Sequence, residues 1–444
     1  MTSDRICPAP DSARDPGFLR ALEMATVAEL VQGALGAGAQ LRELRPDYVR
    51  WKDHDGSLVG YRAIVEGPFG PSSTYVTART APAHRLHEEA ERLHHRASED
   101  YLGLHAFALL PGAEMLLLAF PIDRALNDLR RLVRASKLRN LVQAHCPALV
   151  PAGLRISKSR SSCDIVRYKP ERRAVLHWNL GLVGPEETGE QRCSLWLRCY
   201  AEPTARRTQA ATQAAADAGV VCPKTLAVVH DRLLMESHLA GELWRPFAPD
   251  AAQTAIRSAA ATLAKLHTAA QPASLPHHGP LAELDLVLRA AEDLERLGAN
   301  LGQIAHQLAD RLAHTVPLAS EPVLAHGDLH SAQFLITAGG ASLCDFDRAC
   351  LAPSALDLAN FRAHCIAADP EGGPAIAARF LSDYARHAAL PGSRELSWWT
   401  ACALVRSATT PFRNLRPEWP AEAAFLLRQA QLAMEPRGEQ GGSR

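Results

Sequence analysis

The chain carries no net charge at pH 7: 48 Lys and Arg stand against 48 Asp and Glu over 444 residues, and no long block of either sign occurs. Without such a block the electrostatic footprint of a nucleic-acid or anionic-membrane binder is missing, so neither partner is expected. Lysine is scarce, limited to Lys52, Lys137, Lys158, Lys169, Lys224 and Lys265. The Arg bias, with heavy Ala use, reads as genome composition rather than function. The ten cysteines form no Cys-x-x-Cys pair, and several sit inside apolar runs, where a free thiol behaves as a small hydrophobe. A reduced, cytoplasmic setting is expected. The start of the chain holds Asp4, Arg5, Asp11, Arg14 and Asp15 without a long apolar run, unlike a secretory signal. The most apolar stretch, Phe107 to Phe120, is broken by Pro111, Gly112 and Glu114 and is too short to span a bilayer. A G-x-G-x-x-G nucleotide loop is also lacking.

What is present is material for cores. Hydrophobic residues make up 47% of the chain, and its length suggests two or three domains. Phe18 to Leu35 has helical apolar spacing. Short β-rich runs follow at Tyr48–Lys52, Leu58–Val65 and Thr74–Arg79, and the same order recurs at Val166–Lys169, Ala174–Leu180 and Leu195–Tyr200. Arg50-Trp51-Lys52 matches Arg167-Tyr168-Lys169, and Arg79 falls where Arg198 does. Two readings stand: a repeated three-stranded unit, or two unrelated meanders. Between them, His84–Glu99 and Ile122–Val142 read as helices, the second with an Arg-rich outer face that either attracts anions or is simply solvated. From Pro249 onward the pattern is mostly helical.

The densest chemistry lies in Val323–Ile336 and Leu343–Asp347. An apolar run ends at His326-Gly327-Asp328, Gln333 follows five positions after the aspartate, and a short strand comes next. After Gly339-Gly340 a second strand delivers Asp345. Protein kinases use H-x-D-x-x-x-x-N in this way: the Asp takes the hydroxyl proton, the amide oxygen holds Mg²⁺, and a later carboxylate holds metal between the phosphates. A bare His-Gly-Asp would be an ordinary turn. The amide at the right offset, the flanking strands and the second aspartate distinguish this one.

His-Gly-Asp in place of His-Arg-Asp, with Ala355-Leu356-Asp357-Leu358-Ala359-Asn360-Phe361 downstream, resembles the aminoglycoside phosphotransferase and choline kinase-like superfamily. Gln333 in place of Asn is similar to maltokinases and some uncharacterised bacterial phosphotransferases. The resemblance implies an α+β, protein-kinase-like two-lobed fold, with an antiparallel-sheet N-lobe and a helical C-lobe. Beside these it implies an added N-terminal α+β cap. The expected division is a disordered lead (1–16), a cap (17–120), an N-lobe (121–238), a helical C-lobe (239–436) and a flexible tail (437–444). It further implies ATP and Mg²⁺ as cofactors and transfer of the γ-phosphoryl group to a hydroxyl of a small polar acceptor of aminoglycoside, sugar or amino alcohol type. Asp328 would be the catalytic base, Gln333 and Asp345 the Mg²⁺ ligands, and His326 and Asp357 the supports of the loop.

Such an N-lobe normally carries a third-strand Lys oriented by a Glu on the next helix. Here that strand offers Arg198, and between Glu202 and Glu236 the only carboxylates are Asp217 and Asp231. Lys169 and Arg173, flanking the first turn, would cover the phosphates, unless that turn is a plain charged hairpin tip. Backbone groups near Glu236 and Ser237 would meet the adenine, with Met235 either beside it or in the core. Because of Arg198 a second class stays open: a weak or inactive pseudokinase serving as a nucleotide- or partner-binding scaffold. For the acceptor, Glu283, Asp285, Glu292, Asp293 and Glu295 form either an acidic pocket or a solvated helix face.

Overall fold

The computed structural model describes residues 5–10, 13, 15–36, 38–51, 56–67, 70–94, 107–110, 112, 114–184, 191–246, 253–318 and 320–435. The tail expected over 437–444 and part of the expected lead lie outside these residues. By internal contacts the chain divides into two units. One comprises Met1–Arg206, Lys224–His238 and Phe412–Trp419; the other comprises Arg207–Pro223, Leu239–Pro411 and Pro420–Arg444.

The first unit opens with α1 (Pro16–Ala21) and α2 (Met24–Gly33). Asp15 starts α1 by accepting from the Gly17 and Phe18 N–H groups. The single helix expected from Phe18 to Leu35 is broken because Glu23 is extended and bridges to Arg5. Next come β1 (Gln40–Arg50), β2 (Ser57–Gly67), β3 (Gly70–Thr80), α3 (Ala83–His94), β4 (Phe107–Leu110) and β5 (Met115–Ala119). They are followed by α4 (Leu129–Leu132), α5 (Ala135–His145), β6 (Arg155–Lys169), β7 (Arg173–Val183), β8 (Gln191–Tyr200), α6 (Ala205–Asp217), β9 (Thr225–Val229) and β10 (Leu233–Ser237).

These strands form two 5-stranded antiparallel sheets with matching order, β1-β2-β3-β5-β4 and β6-β7-β8-β10-β9, each with a helix after its third strand. The registers match too. One sheet aligns Arg50, Leu58, Arg79 and Leu116 in a row, and the other aligns Arg167, Val175, Arg198 and Leu234. Of the two readings of the sequence, the repeat is therefore the one the backbone carries, and it has five strands per copy rather than three. The edge strands β1 and β6 begin well before Tyr48 and Val166. Pro46 and the polar run Lys158–Ser162 hide them, and both strands absorb the irregularity in register shifts, at Pro46/Tyr48 and Ser157/Ser162.

One face of the second sheet packs Leu176, Trp178, Leu195, Leu197 and Met235 against Leu129, Leu132, Leu138 and Val142 of α4 and α5. Met235 is therefore core. Helix α3 packs Leu86, Ala90 and Leu93 on Leu116 and Leu118 of the first sheet. The helix expected over Ile122–Val142 is instead two short helices after an Asp123-centred turn. Asp123 Oδ1 accepts from the Ala125 and Leu126 N–H groups at 2.7 and 2.8 Å, and Oδ2 accepts from Tyr168 Oη and the Glu171 N–H, both at 2.8 Å. One carboxylate thus ties the linker between the two copies to the β6–β7 turn.

The second unit begins with most of α6, whose Ala211, Ala214 and Ala215 enter its core. It continues through β11 (Glu242–Leu243), α7 (Gln253–His267), α8 (Pro280–Leu297), α9 (Ala299–His314), β12 (Val323–Ala325), β13 (Phe334–Thr337), β14 (Gly340–Leu343) and β15 (Cys350–Ala352). Helices α10 (Ala355–Ala368), α11 (Gly373–Tyr384), α12 (Ser393–Ser407), α13 (Thr410–Arg413) and α14 (Trp419–Ala433) complete the chain. The sheets are small, β11-β13-β14 and β12-β15. Their support is Leu263 and Leu266 of α7 with Phe334, Leu343, Phe346, Phe361 and Phe380, in which the Phe361 and Phe380 rings stack at 4.0 Å. Among the described residues no helix is long and apolar enough to cross a membrane.

Hydrogen bonds to a charged group contribute about 1.5–3 kcal/mol each, less when they share one acceptor. Asp123→Ala is therefore expected to destabilise the first unit by about 3 kcal/mol or more, read as a lower denaturant midpoint with unchanged slope.

Candidate active site

Strand β12 delivers the chain to His326-Gly327-Asp328 beneath a fully buried carboxylate, Asp357, in the first turn of α10. Asp357 Oδ2 accepts from the His326 N–H at 2.7 Å and Oδ1 from the Gly327 N–H at 2.8 Å. His267 Nε2 lies 3.2 Å from Oδ2, and its Nδ1 meets Tyr384 Oη at 2.8 Å. Burial pushes the Asp357 pKa up, but the His267 hydrogen bond and charge, with the His326 contacts, outweigh it and hold it below the usual range. Gly327 is needed as glycine: its φ is 79° and a Cβ would collide with the Arg348 carbonyl oxygen. Asp328, half-exposed, then projects beside Arg348, with Nε to Oδ2 at 3.8 Å.

Gln333 immediately precedes β13 and Asp345 follows β14, the two strands of one hairpin. Phe334 pairs with Leu343, and the Cys344 N–H donates to the Gln333 carbonyl at 2.9 Å, so the backbone holds residues 333 and 344 side by side. The buried His326 donates from Nε2 to the Cys344 carbonyl at 2.9 Å, tying the loop to that same end. Asp345 adopts a left-handed conformation at φ 69° and ψ 53°. For a residue other than glycine this costs on the order of 1–3 kcal/mol and is concentrated at functional sites. Gln333 Nε2 lies 3.0 Å from His330 Nε2. With the amide nitrogen donating there, the carbonyl Oε1 is the atom left to meet a cation, the hard oxygen that Mg²⁺ prefers.

In the first unit, Arg198 on β8 is buried and meets Glu236 on β10, Nε to Oε2 at 2.6 Å. The glutamate absent from the following helix is thus matched by one on the adjacent strand, two residues along from the Arg198–Leu234 pair. Lys169 and Arg173 pair across the end of the β6–β7 hairpin. Of that turn's amides, Glu171 donates to Asp123 and Arg172 to the Lys169 carbonyl at 3.0 Å. A covering role for the turn therefore falls to side chains, not to these amides. The Ser237 N–H donates to the Lys224 carbonyl at 2.9 Å, which removes that amide from those expected to meet an adenine.

Residues 189–390 match the family model described as the phosphotransferase enzyme family APH. That segment is similar to this family. No curated protein matches the chain. Among solved structures the chain is similar to the macrolide 2'-phosphotransferase of Brachybacterium faecium, with 17% identity over 69% of this chain and 99% of that one, at a TM-score of 0.41. It is similar to the choline kinase of Cryptosporidium parvum Iowa II, with 10% identity over 67% and 94%, at a TM-score of 0.46. It is also similar to the ethanolamine kinase of Plasmodium vivax, with 12% identity over 70% and 94%, at a TM-score of 0.46.

Sequence reasoning missed several parts of this candidate site. The His330 and His364 rings stack at 4.9 Å, and burial followed by His330 pushes the His364 pKa down to about 4, so that ring is neutral at pH 7. A chain of polar contacts also supports the loop. Asn360 Nδ2 donates to the Gly327 carbonyl at 3.4 Å, and Arg406 Nη2 donates to Asn360 Oδ1 at 2.7 Å. Arg406 Nε in turn donates to Glu283 Oε1 at 2.6 Å, while His278 Nε2 lies 2.7 Å from Glu283 Oε2. Glu283 is therefore buried and paired, not part of an acidic pocket. Asp293 and Glu295 contact Arg296 and His306 on the helical surface. Residues separated this widely in sequence give no local signal.

Removing one partner of a buried charged pair costs about 3–5 kcal/mol. Asp357→Asn is expected to lose about that much stability at pH 7. Since the folded pKa lies below the unfolded one, the carboxylate contributes fully above about pH 4. Its contribution is lost as pH falls through the folded value. Stability curves of wild type and Asp357→Asn should therefore converge below about pH 4, which denaturant titrations at several pH values will show.

Proposed function

We propose that the chain is an ATP-dependent phosphotransferase that moves the γ-phosphoryl group to a hydroxyl of a small polar acceptor. The observation that carries this reading is the anchoring of the His326–Asp328 loop by Asp357, next to a hairpin whose two strands bring Gln333 and Asp345 to one end. Asp328 aligns the acceptor hydroxyl and takes its proton late, because a loose transition state demands little base strength. Gln333 and Asp345 would hold Mg²⁺, which when bound would supply positive charge to the transferring phosphates. His330 engages the Gln333 amide nitrogen and leaves its carbonyl oxygen as the donor to a cation.

On the nucleotide side, Arg198 neutralises phosphate charge, kept extended by Glu236. Lys169 and Arg173 contribute cationic side chains, and the base is met beside the end of β10 by groups other than the Ser237 amide. Arg198 in place of the usual Lys, with no glutamate on the following helix, favours the second reading, a scaffold of weak or no activity, and the same assays separate the two.

Under the enzyme reading, Mg·ATP raises the melting temperature, and a panel of hydroxyl acceptors coupled to ADP release yields turnover for one class. Asp328→Ala should lower that turnover by about 10²–10⁴-fold while the Mg·ATP shift persists. Asp345→Ala should lose the Mg²⁺-dependent part of the shift. Absence of any shift, with no effect of Asp345→Ala, would leave only the scaffold.

A further inference from the structure

The first sheet reproduces more of the second than its strand order. Arg79 stands on β3 where Arg198 stands on β8, and it too has a carboxylate partner: Nε lies 2.6 Å from Glu89 Oε2, on the helix that follows. A cavity of about 370 Å³ opens beside this pair, within the range of small-molecule sites. Its described lining includes Arg50, Arg79, Arg85, Arg92 and Arg124 against Glu88, Glu89 and Glu171, so cations outnumber anions by two.

Among the described side chains of this cavity, Arg50 Nε and Glu171 Oε1 are the buried atoms without a hydrogen-bond partner. Arg124 Nη1 meets Glu89 Oε1 at 2.6 Å, but its Nε stands 3.5 Å from Glu171 Oε1, and Arg79 Nη1 stands 3.6 Å from the same oxygen. Arg50 pairs with Glu171 through Nη2, while the Arg50 Nε is buried with no hydrogen-bond partner. A buried guanidinium donor without an acceptor is rare in native proteins and calls for a water or an ion. Guanidinium groups converging on one pocket suit an oxyanion that presents several oxygens at once.

We propose that this cavity is a second anion site, for a small molecule bearing two or more phosphates, distinct from the His326–Asp328 loop. The surplus positive charge of the described lining suits a polyanion, and the cavity volume limits it to a small one. Glu171, which shares Arg50, Arg79 and Arg124, sits in the turn between Lys169 and Arg173, so a bound anion competes with that turn for the same guanidinium groups.

The test is calorimetric titration of the full chain with sodium pyrophosphate in the absence of Mg²⁺, beside sodium sulfate and ATP. Saturable pyrophosphate binding that survives in Asp345→Ala and weakens about tenfold or more in Arg124→Gln is expected. Arg85 and Arg92 are exposed on α3, so Arg85→Gln and Arg92→Gln carry the same expectation should Arg124→Gln fold poorly. Pyrophosphate binding that is absent, that equals sulfate, or that is untouched by these arginine variants overturns the proposal. Loss in Asp345→Ala alone would place the anion at the catalytic loop and overturn it too. Each outcome is read whether or not the chain proves to be an active kinase.

Discussion

The candidate active site depends on one buried carboxylate. Asp357 has no access to water, and its oxygens are committed to two successive loop amides and to His267. Those contacts compensate its desolvation and at the same time fix the conformation of the loop, because the amides of His326 and Gly327 cannot both point at one carboxylate in an extended chain. The left-handed turn at Gly327 follows, and with it the exposure of Asp328. Asp328 therefore follows a backbone held at two successive amides.

The first unit solves a related problem twice. A third-strand arginine in a sheet is long, and without a carboxylate nearby it would be buried at a cost of several kcal/mol. Arg79 takes its partner from the following helix and Arg198 from the neighbouring strand. The matching rows through Arg50 and Arg167 make the two sheets variants of one plan, with the helix-borne glutamate kept in the first copy and replaced by Glu236 in the second. Because the strand partner holds Arg198 from within the sheet, the helix after β8 needs no acidic residue.

The candidate loop and its hairpin were legible in the sequence because they lie within a short stretch whose spacing is set by a turn, and the support expected of Asp357 is seen in its bonds to His326 and Gly327. Glu236 as the partner of Arg198 was not legible there: cross-strand neighbours are fixed by register, and register shows only when both strands are placed. The edge strands were missed for a local reason, since Pro46 and the run from Lys158 to Ser162 look like loop. The broken helix at Glu23 was missed because its cause, the bridge to Arg5, lies far along the chain. The network through Asn360, Arg406 and Glu283 joins three helices and left no periodic trace.

The central claim is that Gln333 and Asp345, together with the anchored loop, form one divalent-cation site. Electron paramagnetic resonance of Mn²⁺ titrated into the full chain with a non-hydrolysable ATP analogue addresses it most directly. The account predicts a single saturable Mn²⁺ site that is lost in Asp345→Ala, weakened in Gln333→Ala and retained in Asp328→Asn. Mn²⁺ bound equally well by all four proteins would contradict it.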